Sequence, residues 1–414
     1  MKIYVKTFGC RVNQVETESL IERIREGGHE LIDNFETAGA VLINTCSVTG
    51  EADKDCARFL RVISRRNPDC RIIVTGCYAT VNPERVLQNA PGAVIVGNKD
   101  KQNIPALLFG LKETQGFGWR AKEHLGHSRA FVKIQDGCNC RCKYCIVPTA
   151  RPDLSSKSVA ETLDEAAVLA ANGYAEIVLS GINIGNYKCP DTGKDLAGLL
   201  DSLWTLKGDF RIRFSSIEVR NINDALLESA LRGGERFCDY FHVPLQAGSD
   251  KVLCEMGRNY DLSLYSAAAS RLRKAWPGLG LYADIIAGYP AETHEDFEAA
   301  LKFVEETKFA GLHVFSYSPR QGTPAAQMPQ LAREEIKTRS QTLRALDKKL
   351  RAEFAQSLVG TVQRVALEKE GDGRPHGLTG NFVNVDIEGN IPSAPIFAAR
   401  IKEAKSGRCI AGQI

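Results

Sequence analysis

Four cysteines crowd into the octapeptide Cys138-Asn139-Cys140-Arg141-Cys142-Lys143-Tyr144-Cys145. Three of them, Cys138, Cys142 and Cys145, stand at C-x3-C-x2-C spacing, which places three thiolates in one tight loop. Thiolates are the usual ligands of iron–sulfur clusters, so this triplet can hold three corners of a [4Fe-4S] cube and leave the fourth iron without a protein ligand. An open iron is what a bidentate small molecule needs if it is to be bound and cleaved reductively. The competing reading is a zinc knuckle. Structural zinc takes four ligands, usually in two pairs, and no partner pair at that spacing follows nearby. Zinc would have to recruit Cys140, which is otherwise read as a small filler residue.

The 414 residues allow two or three domains. Hydrophobic residues at 43% and charged residues at 25% are ordinary for a globular protein. A net charge of +3 does not announce a nucleic-acid partner, so any basic surface must be local. No apolar run is long enough to span a bilayer, and Met1-Lys2-Ile3-Tyr4-Val5 opens on a strand-like pattern and not on a signal peptide. A cytoplasmic protein is expected. In a reducing compartment, 13 cysteines point to metal or redox chemistry more than to disulfides.

Residues 1–118 alternate short β-branched runs with helical segments, which predicts a parallel α/β sheet. Strands are expected at Ile3–Val5, Val41–Ile43, Ile72–Val74 and Val94–Val96. The first three are each followed by a cysteine, in Gly9-Cys10, Asn44-Thr45-Cys46 and Gly76-Cys77. Loops beyond the carboxyl ends of parallel strands converge on one crevice. Cys10, Cys46 and Cys77 are therefore expected to meet there as a second metal site, again with three thiolates. Cys56 and Cys70 fall in a helical stretch and before a strand, and read as structural. A Rossmann nucleotide site competes for such a sheet, but no G-x-G-x-x-G follows a strand. Residues 119–128, within the turn-rich stretch 116–129, read as a linker, solvated or touching nucleic acid through its basic and aromatic residues.

Residues 129–330 show six strand-like runs separated mostly by helical stretches, the pattern of a partial (βα)6 barrel. The runs are Phe131–Ile134, Ile177–Leu179, Arg211–Phe214, Tyr240–Val243, Leu281–Ile285 and Leu312–Phe315. Parallel barrels carry function in the loops after their strands, and the cysteine triplet follows the first. Ser180, Ser215, Glu218, Gln246 and Asp284 stand at later strand ends, where they can serve the hydroxyls and amino-acid end of a nucleoside ligand. Gly181 and Gly288 permit close backbone approach. Arg258 is placed to reach a carboxylate or phosphate, or to be exposed. Residues 331–356 read as a connecting helix, and 357–414, with short alternating runs and glycine-rich turns, as a small β-barrel. Seven basic and six acidic residues from Thr361 to Ile414 give no charge argument for RNA there.

The cysteine spacing, with Tyr144 just before Cys145, resembles the signature of the radical S-adenosylmethionine superfamily. Gly9-Cys10-x2-Asn13, Asn44-Thr45-Cys46, HVPLQAGS and DIIAGYPAET resemble the methylthiotransferases within it, and the tail resembles the TRAM RNA-binding barrel. Thr7–Asn13 and Asn44–Thr49 are most similar to the branch acting on threonylcarbamoyladenosine beside the tRNA anticodon. The branches acting on isopentenyladenosine and on a ribosomal-protein aspartate are less similar. The resemblance implies two [4Fe-4S] clusters, one on Cys10, Cys46 and Cys77 and one on Cys138, Cys142 and Cys145, with Tyr144 by the adenine of S-adenosyl-L-methionine. It implies that one S-adenosylmethionine methylates sulfur at the first cluster. A second is cleaved at the other, and the 5′-deoxyadenosyl radical opens the adenine C2–H bond. It also implies tRNA, a sulfur donor and a reductant such as flavodoxin or ferredoxin as partners. The family continues after Cys145-Ile-Val-Pro148 with Arg-Gly and a basic Arg-Ser-Arg, where this chain has Arg151-Pro152-Asp153-Leu154-Ser155-Ser156-Lys157. Two other classes remain open: a radical enzyme acting on a protein side chain, and a non-catalytic iron–sulfur sensor that binds RNA.

Overall fold

A computed structural model describes residues 1–113, 117–124, 128–368, 375–389 and 394–414. The first part is a five-stranded parallel sheet in the order Glu30–Leu31, Lys2–Thr7, Ala40–Thr45, Arg71–Gly76, Val94–Val96. The four expected strands are present; the fifth is a two-residue edge too short to show a pattern. Ala40–Thr45 is buried throughout because helices cover both faces. Val41 and Ile43 pack toward helix Gly50–Arg66, while Ala40 and Leu42 pack with Leu20 and Ile24 of helix Arg11–Glu26. The chain leaves Lys2–Thr7 in one direction and Ala40–Thr45 in the other, so the sheet's crevice opens between their carboxyl ends.

The second part is the partial barrel. Its six parallel strands are Arg129–Asp136, Glu176–Gly181, Arg211–Phe214, Tyr240–His242, Gly280–Ala287 and Gly311–Ser316. They pair as two sheets, joined where Cys238 N–H donates to Ile212 O (2.9 Å) and Ile217 N–H to His242 O (2.9 Å). Successive side chains on a strand point to opposite faces. Val132, Ile177, Phe241, Ala283 and Leu312 belong to the helix-covered core. Their neighbours Phe131, Val178, His242, Asp284 and His313 face the concave side.

Two other parts of the chain enter that concave side. Helix Arg11–Glu26 sets Val15 against Phe131 and Val178. At the amino-terminal end of the strands, Thr379–Phe382 of the last part closes the opening. Arg211 donates to Leu378 O (2.8 Å), Arg213 to Gly380 O (2.9 Å), and the Phe382 ring lies 4.8 Å from Tyr240. Both arginines also bond Glu176, so these buried charges are paired and hydrogen-bonded. With the amino-terminal end closed, the ligand-bearing carboxyl end remains as the way in.

Helix Arg333–Ser357 runs beside the last barrel strand and leads to a closed five-stranded barrel in the order Val362–Glu368, His376–Thr379, Asn384–Glu388, Arg408–Gln413, Ile396–Lys405. Closure leaves no free sheet edge. Two of the expected glycines, at 371 and 373, lie outside the described residues. The expectation of a solvated or nucleic-acid-facing linker is corrected at Trp119 and His124, while Arg120, Lys122 and Glu123 are exposed. Trp119 (5% exposed) and His124 (3%) are buried, with Lys157 bonded to Trp119 O and Phe117 packed with the amino-terminal sheet. Residues 116 and 125–127 of that stretch lie outside the described residues. Among the described residues, no helix is long and apolar enough to cross a membrane.

Candidate functional site

Strand Arg129–Asp136 ends at Gly137, whose φ of +80° suits glycine; a Cβ there would stand 2.1 Å from Asp153 O. Cys138 N–H donates to Arg151 O (3.1 Å) and ties the ends of the cysteine loop together. A second tie joins Lys143 N–H to Met256 O (2.9 Å). Arg258 reaches a carboxylate: one arm pairs with Glu218, the other donates to Cys142 Sγ (3.2 Å), and its plane lies over Tyr260. Cys140 is no mere filler. Its thiol and its N–H (3.4 Å) both donate to Cys138 Sγ and hold that thiol below its ordinary range. Burial pushes Cys145 up to about 11 and also raises Cys142, against the opposing charge of Arg258.

The amino-terminal cysteines do meet at the carboxyl edge of the sheet. Cys46 lies so close to Gly9 that a Cβ on Gly9, whose φ is +100°, would stand 2.4 Å from Cys46 Cβ. Asn13 donates to Phe8 O (2.9 Å) and Thr45 O (3.0 Å), joining the loops that carry Cys10 and Cys46, and Asn44 donates to Asn13 O (2.9 Å). Cys77 opens a short helix after Gly76 and accepts from Asn98 Nδ2 (3.7 Å). Burial, and the nearby Cys10 and Cys77, push Cys46 up to about 12 despite a hydrogen bond from Val48 N–H. Cys10 is exposed, whereas Cys46 and Cys77 are buried.

The donor chemistry of both sets fits a cluster better than a single ion. All thirteen cysteines are free thiols. Two thiolates on one zinc, at bonds of about 2.3 Å, lie about 3.8 Å apart. Three free thiols per set leave a tetrahedral zinc one ligand short, whereas three corners of a four-iron cube need no more.

The other candidate residues divide by surroundings. The Ser215 hydroxyl is buried with no hydrogen-bond partner among the described residues, which suits a ligand that completes it. Ser180 is buried on the concave face near Val178 O. Tyr144 packs against the barrel core beside Arg258. Gln246 adopts φ +67°, and its backbone bridges to the neighbouring strand at Asp284 and Ile286. Glu218 is occupied by Arg258 and Asp284 by two histidines. At Gly181 and Gly288 the close approach is made by protein. A Cβ on Gly181 would stand 3.0 Å from Gln135 O, and one on Gly288 2.7 Å from Ile336.

The two parts that carry the cysteine sets meet across a bonded interface. Asn98, which contacts Cys77, also donates to Ala150 O (2.9 Å), just beyond the radical-type loop. Arg320 pairs with Asp53 (2.9 Å), and Gly50 N–H donates to Ser318 Oγ (3.0 Å). Beneath them lies a buried ion network. Glu16 accepts from Lys101 (2.6 Å), Lys133 (2.5 Å) and Arg151 (2.7 Å), and Asp136 from Lys133 (2.6 Å) and Arg151 (2.8 Å). Burial would raise Glu16, but these three cations hold it well below the carboxylate range. Arg151 and Lys157 are thus internal struts, Lys157 pairing with Glu165. Sequence reasoning missed this network because its members come from four distant stretches.

Comparison with known proteins agrees with this arrangement. Residues 2–97 match the family described as Uncharacterized protein family UPF0004, and residues 132–304 the Radical SAM superfamily. The threonylcarbamoyladenosine tRNA methylthiotransferase MtaB of Bacillus subtilis is 36% identical, over 92% of this chain and 89% of its own. Its namesake in Thermotoga maritima is 33% identical over 88% and 86%. The tRNA-2-methylthio-N(6)-dimethylallyladenosine synthase of Bordetella petrii is 34% identical over 92% and 84%. Among solved structures, the radical S-adenosylmethionine methyltransferase TsrM from Kitasatospora setae superposes with a TM-score of 0.56 over 78% of this chain and 74% of its own, at 13% identity, a likeness of fold alone. With relatives matched along nearly their whole length and both cysteine sets in place, the chain belongs to the radical S-adenosylmethionine methylthiotransferase family.

Proposed function

We propose that this protein converts N6-threonylcarbamoyladenosine beside the tRNA anticodon to its 2-methylthio derivative. The observation that carries the reading is the meeting of the two cysteine-bearing parts, joined by Asn98 between Cys77 and Ala150. The substrate follows the named activity of the relatives from Bacillus subtilis and Thermotoga maritima. Cys10, Cys46 and Cys77 would hold one [4Fe-4S] cluster, and Cys138, Cys142 and Cys145 the other. When bound, the clusters and S-adenosyl-L-methionine supply the methylated sulfur and the radical that opens an inert C–H bond.

The chain's own residues position the reactants. Arg258, anchored on Glu218, offsets the charge of Cys142. The orphaned Ser215 hydroxyl, with Ser180 and Gln246 at the strand ends and Tyr144 at the loop, lines the space for S-adenosylmethionine. Residues 1–118 would carry the sulfur-bearing site, 129–330 the radical site and 357–414 the RNA contact, joined by 119–128 and the helix at 331–356. An anticodon-loop base can be splayed out of its stack into the concave site. A cytoplasmic setting would supply tRNA, a reductant such as flavodoxin or ferredoxin, and a sulfur donor.

The test is mass spectrometry of tRNA nucleosides from a strain lacking this protein, complemented with the wild type or Cys142→Ala. The 2-methylthio derivative of threonylcarbamoyladenosine should vanish on deletion and return only with the wild type. Loss of the dimethylallyladenosine derivative instead would move the chain to the activity of the Bordetella petrii relative. Persistence of every methylthio nucleoside would refute action on tRNA.

A further inference from the structure

Three polar side chains stand on the concave face of the last three barrel strands, where an apolar wall would be the simpler packing. Asp284 is in register with His313, and His242 lies one strand over. His242 Nε2 is 2.9 Å and His313 Nδ1 3.4 Å from the same oxygen, Asp284 Oδ1, with the two imidazole rings 4.8 Å apart. Burial would raise Asp284, but the two histidines hold it below the carboxylate range. An ionised carboxylate only accepts, so each imidazole donates to it, which fixes both tautomers and leaves His242 Nδ1 and His313 Nε2 for another partner.

Structural need accounts for His242, which is nearly buried, but not for His313, whose side chain is 41% exposed in mid-strand. Phe315, two residues along on the same face, is also exposed, so this wall is open to a ligand. Arg11, next to Cys10, lies over Phe131 (4.8 Å), with Arg129, Tyr240, Glu18 and Glu368 within electrostatic reach. Its one hydrogen bond among the described residues goes to Gln14 (3.1 Å), so its charge meets no carboxylate at bonding distance. That wall therefore offers two oriented imidazole nitrogens, and the amino-terminal helix that enters the concave side adds a guanidinium over Phe131.

We propose that His242, Asp284 and His313, with Arg11, form the subsite for the polar, carboxylate-bearing N6 side chain of the substrate nucleoside. Arg11 meets the carboxylate, and the imidazoles meet the side chain's hydroxyl and N–H groups. A dimethylallyl group has nothing to offer these donors and acceptors and would leave them unpaired, which is how a polar site rejects an apolar analogue. This inference rests on the substrate reading above and goes beyond it by naming what selects the substrate.

The test uses the full-length, cluster-reconstituted enzyme and anticodon stem–loops carrying threonylcarbamoyladenosine, its methyl ester or dimethylallyladenosine. His313→Leu should lower kcat/KM for threonylcarbamoyladenosine about tenfold or more, chiefly through KM, as expected for one lost polar contact. His313→Gln, which keeps a polar end, should recover much of the loss. Iron content and RNA-independent formation of 5′-deoxyadenosine should match the wild type in both, which a merely structural role would not allow. The wild type should discriminate against the methyl ester, and His313→Leu less so. Wild-type turnover of threonylcarbamoyladenosine with no change in His313→Leu overturns this inference alone. Wild-type turnover only of the dimethylallyl substrate overturns the substrate reading and the inference with it. Should His313→Leu fail to hold iron, the wild type decides: equal turnover of acid and ester rejects the subsite.

Discussion

Cys138, Cys142 and Cys145 share one loop, whereas Cys10, Cys46 and Cys77 come from three loops that only a folded sheet brings together. The first set is gathered by its own loop, with Cys140 on Cys138 and the closure at Arg151, and the barrel adds ties from Met256 and Arg258. The second depends on strand order and on small fittings between loops, such as Gly9 beneath Cys46 and Asn13 between two carbonyls. A local set should tolerate loosening of the fold better than an assembled one. The two should therefore fail separately when struck directly, and unequally when their supports are weakened.

The largest effect divides the two sets outright. Cys142→Ala should abolish formation of 5′-deoxyadenosine, whereas Cys46→Ala should keep it and lose only methylthio transfer. In each variant iron should fall from about eight to about four per chain, as two four-iron clusters predict. Loss of S-adenosylmethionine cleavage in Cys46→Ala would show that the sets do not act independently.

A weakened support comes next. Gly9→Ala forces a Cβ to 2.4 Å from Cys46 Cβ at a φ of +100°, a conformation that costs an alanine about 1–3 kcal/mol before the clash. It should lower methylthio transfer and iron at the amino-terminal set, and leave 5′-deoxyadenosine formation near wild type. Equal loss at both sets would erase the distinction drawn above.

The mildest effect on chemistry, though large for stability, falls on the ion network under both sets. Glu16→Gln leaves Lys101, Lys133 and Arg151 short of their shared anion. Breaking a buried pair from one side costs about 3–5 kcal/mol, visible as a lower urea midpoint. Because Glu16 is held below its ordinary range, its contribution is complete above the unfolded glutamate value of about 4.3 and shrinks as pH falls toward the folded value. The wild type should lose stability through that acid window, and Glu16→Gln should lose correspondingly less. Parallel acid curves for the two proteins would place the acid sensitivity elsewhere.

Much of the molecule was legible before folding because the signals are local. Ile177–Leu179 and Tyr240–Val243 announce strands by their own residues, and cysteines just after strands announce a shared edge by the topology of parallel sheets. The closed carboxy-terminal barrel is likewise written in alternation along Val383, Val385 and Ile387. Less legible were residues whose role depends on a partner. Gly181 and Gly288 look like ligand-facing glycines in sequence, yet Gln135 and Ile336 occupy the space a Cβ would need. His242 stood in a recognised segment, and His313 in an expected strand, with no sign that Asp284 would join them.

The amino-acid sequence by itself determined the strands, the helices, the local cysteine loop and the order of the three parts. Each of these follows from periodicity, spacing or turn chemistry within a short stretch. Tertiary structure alone decided that Arg151 and Lys157 are buried struts, that Trp119 is interior, that the two cysteine-bearing parts meet, and that His242, Asp284 and His313 meet on one wall. Those outcomes depend on strand register and on which faces pack together, and a buried charge or an imidazole takes its role from neighbours that the chain supplies from far away.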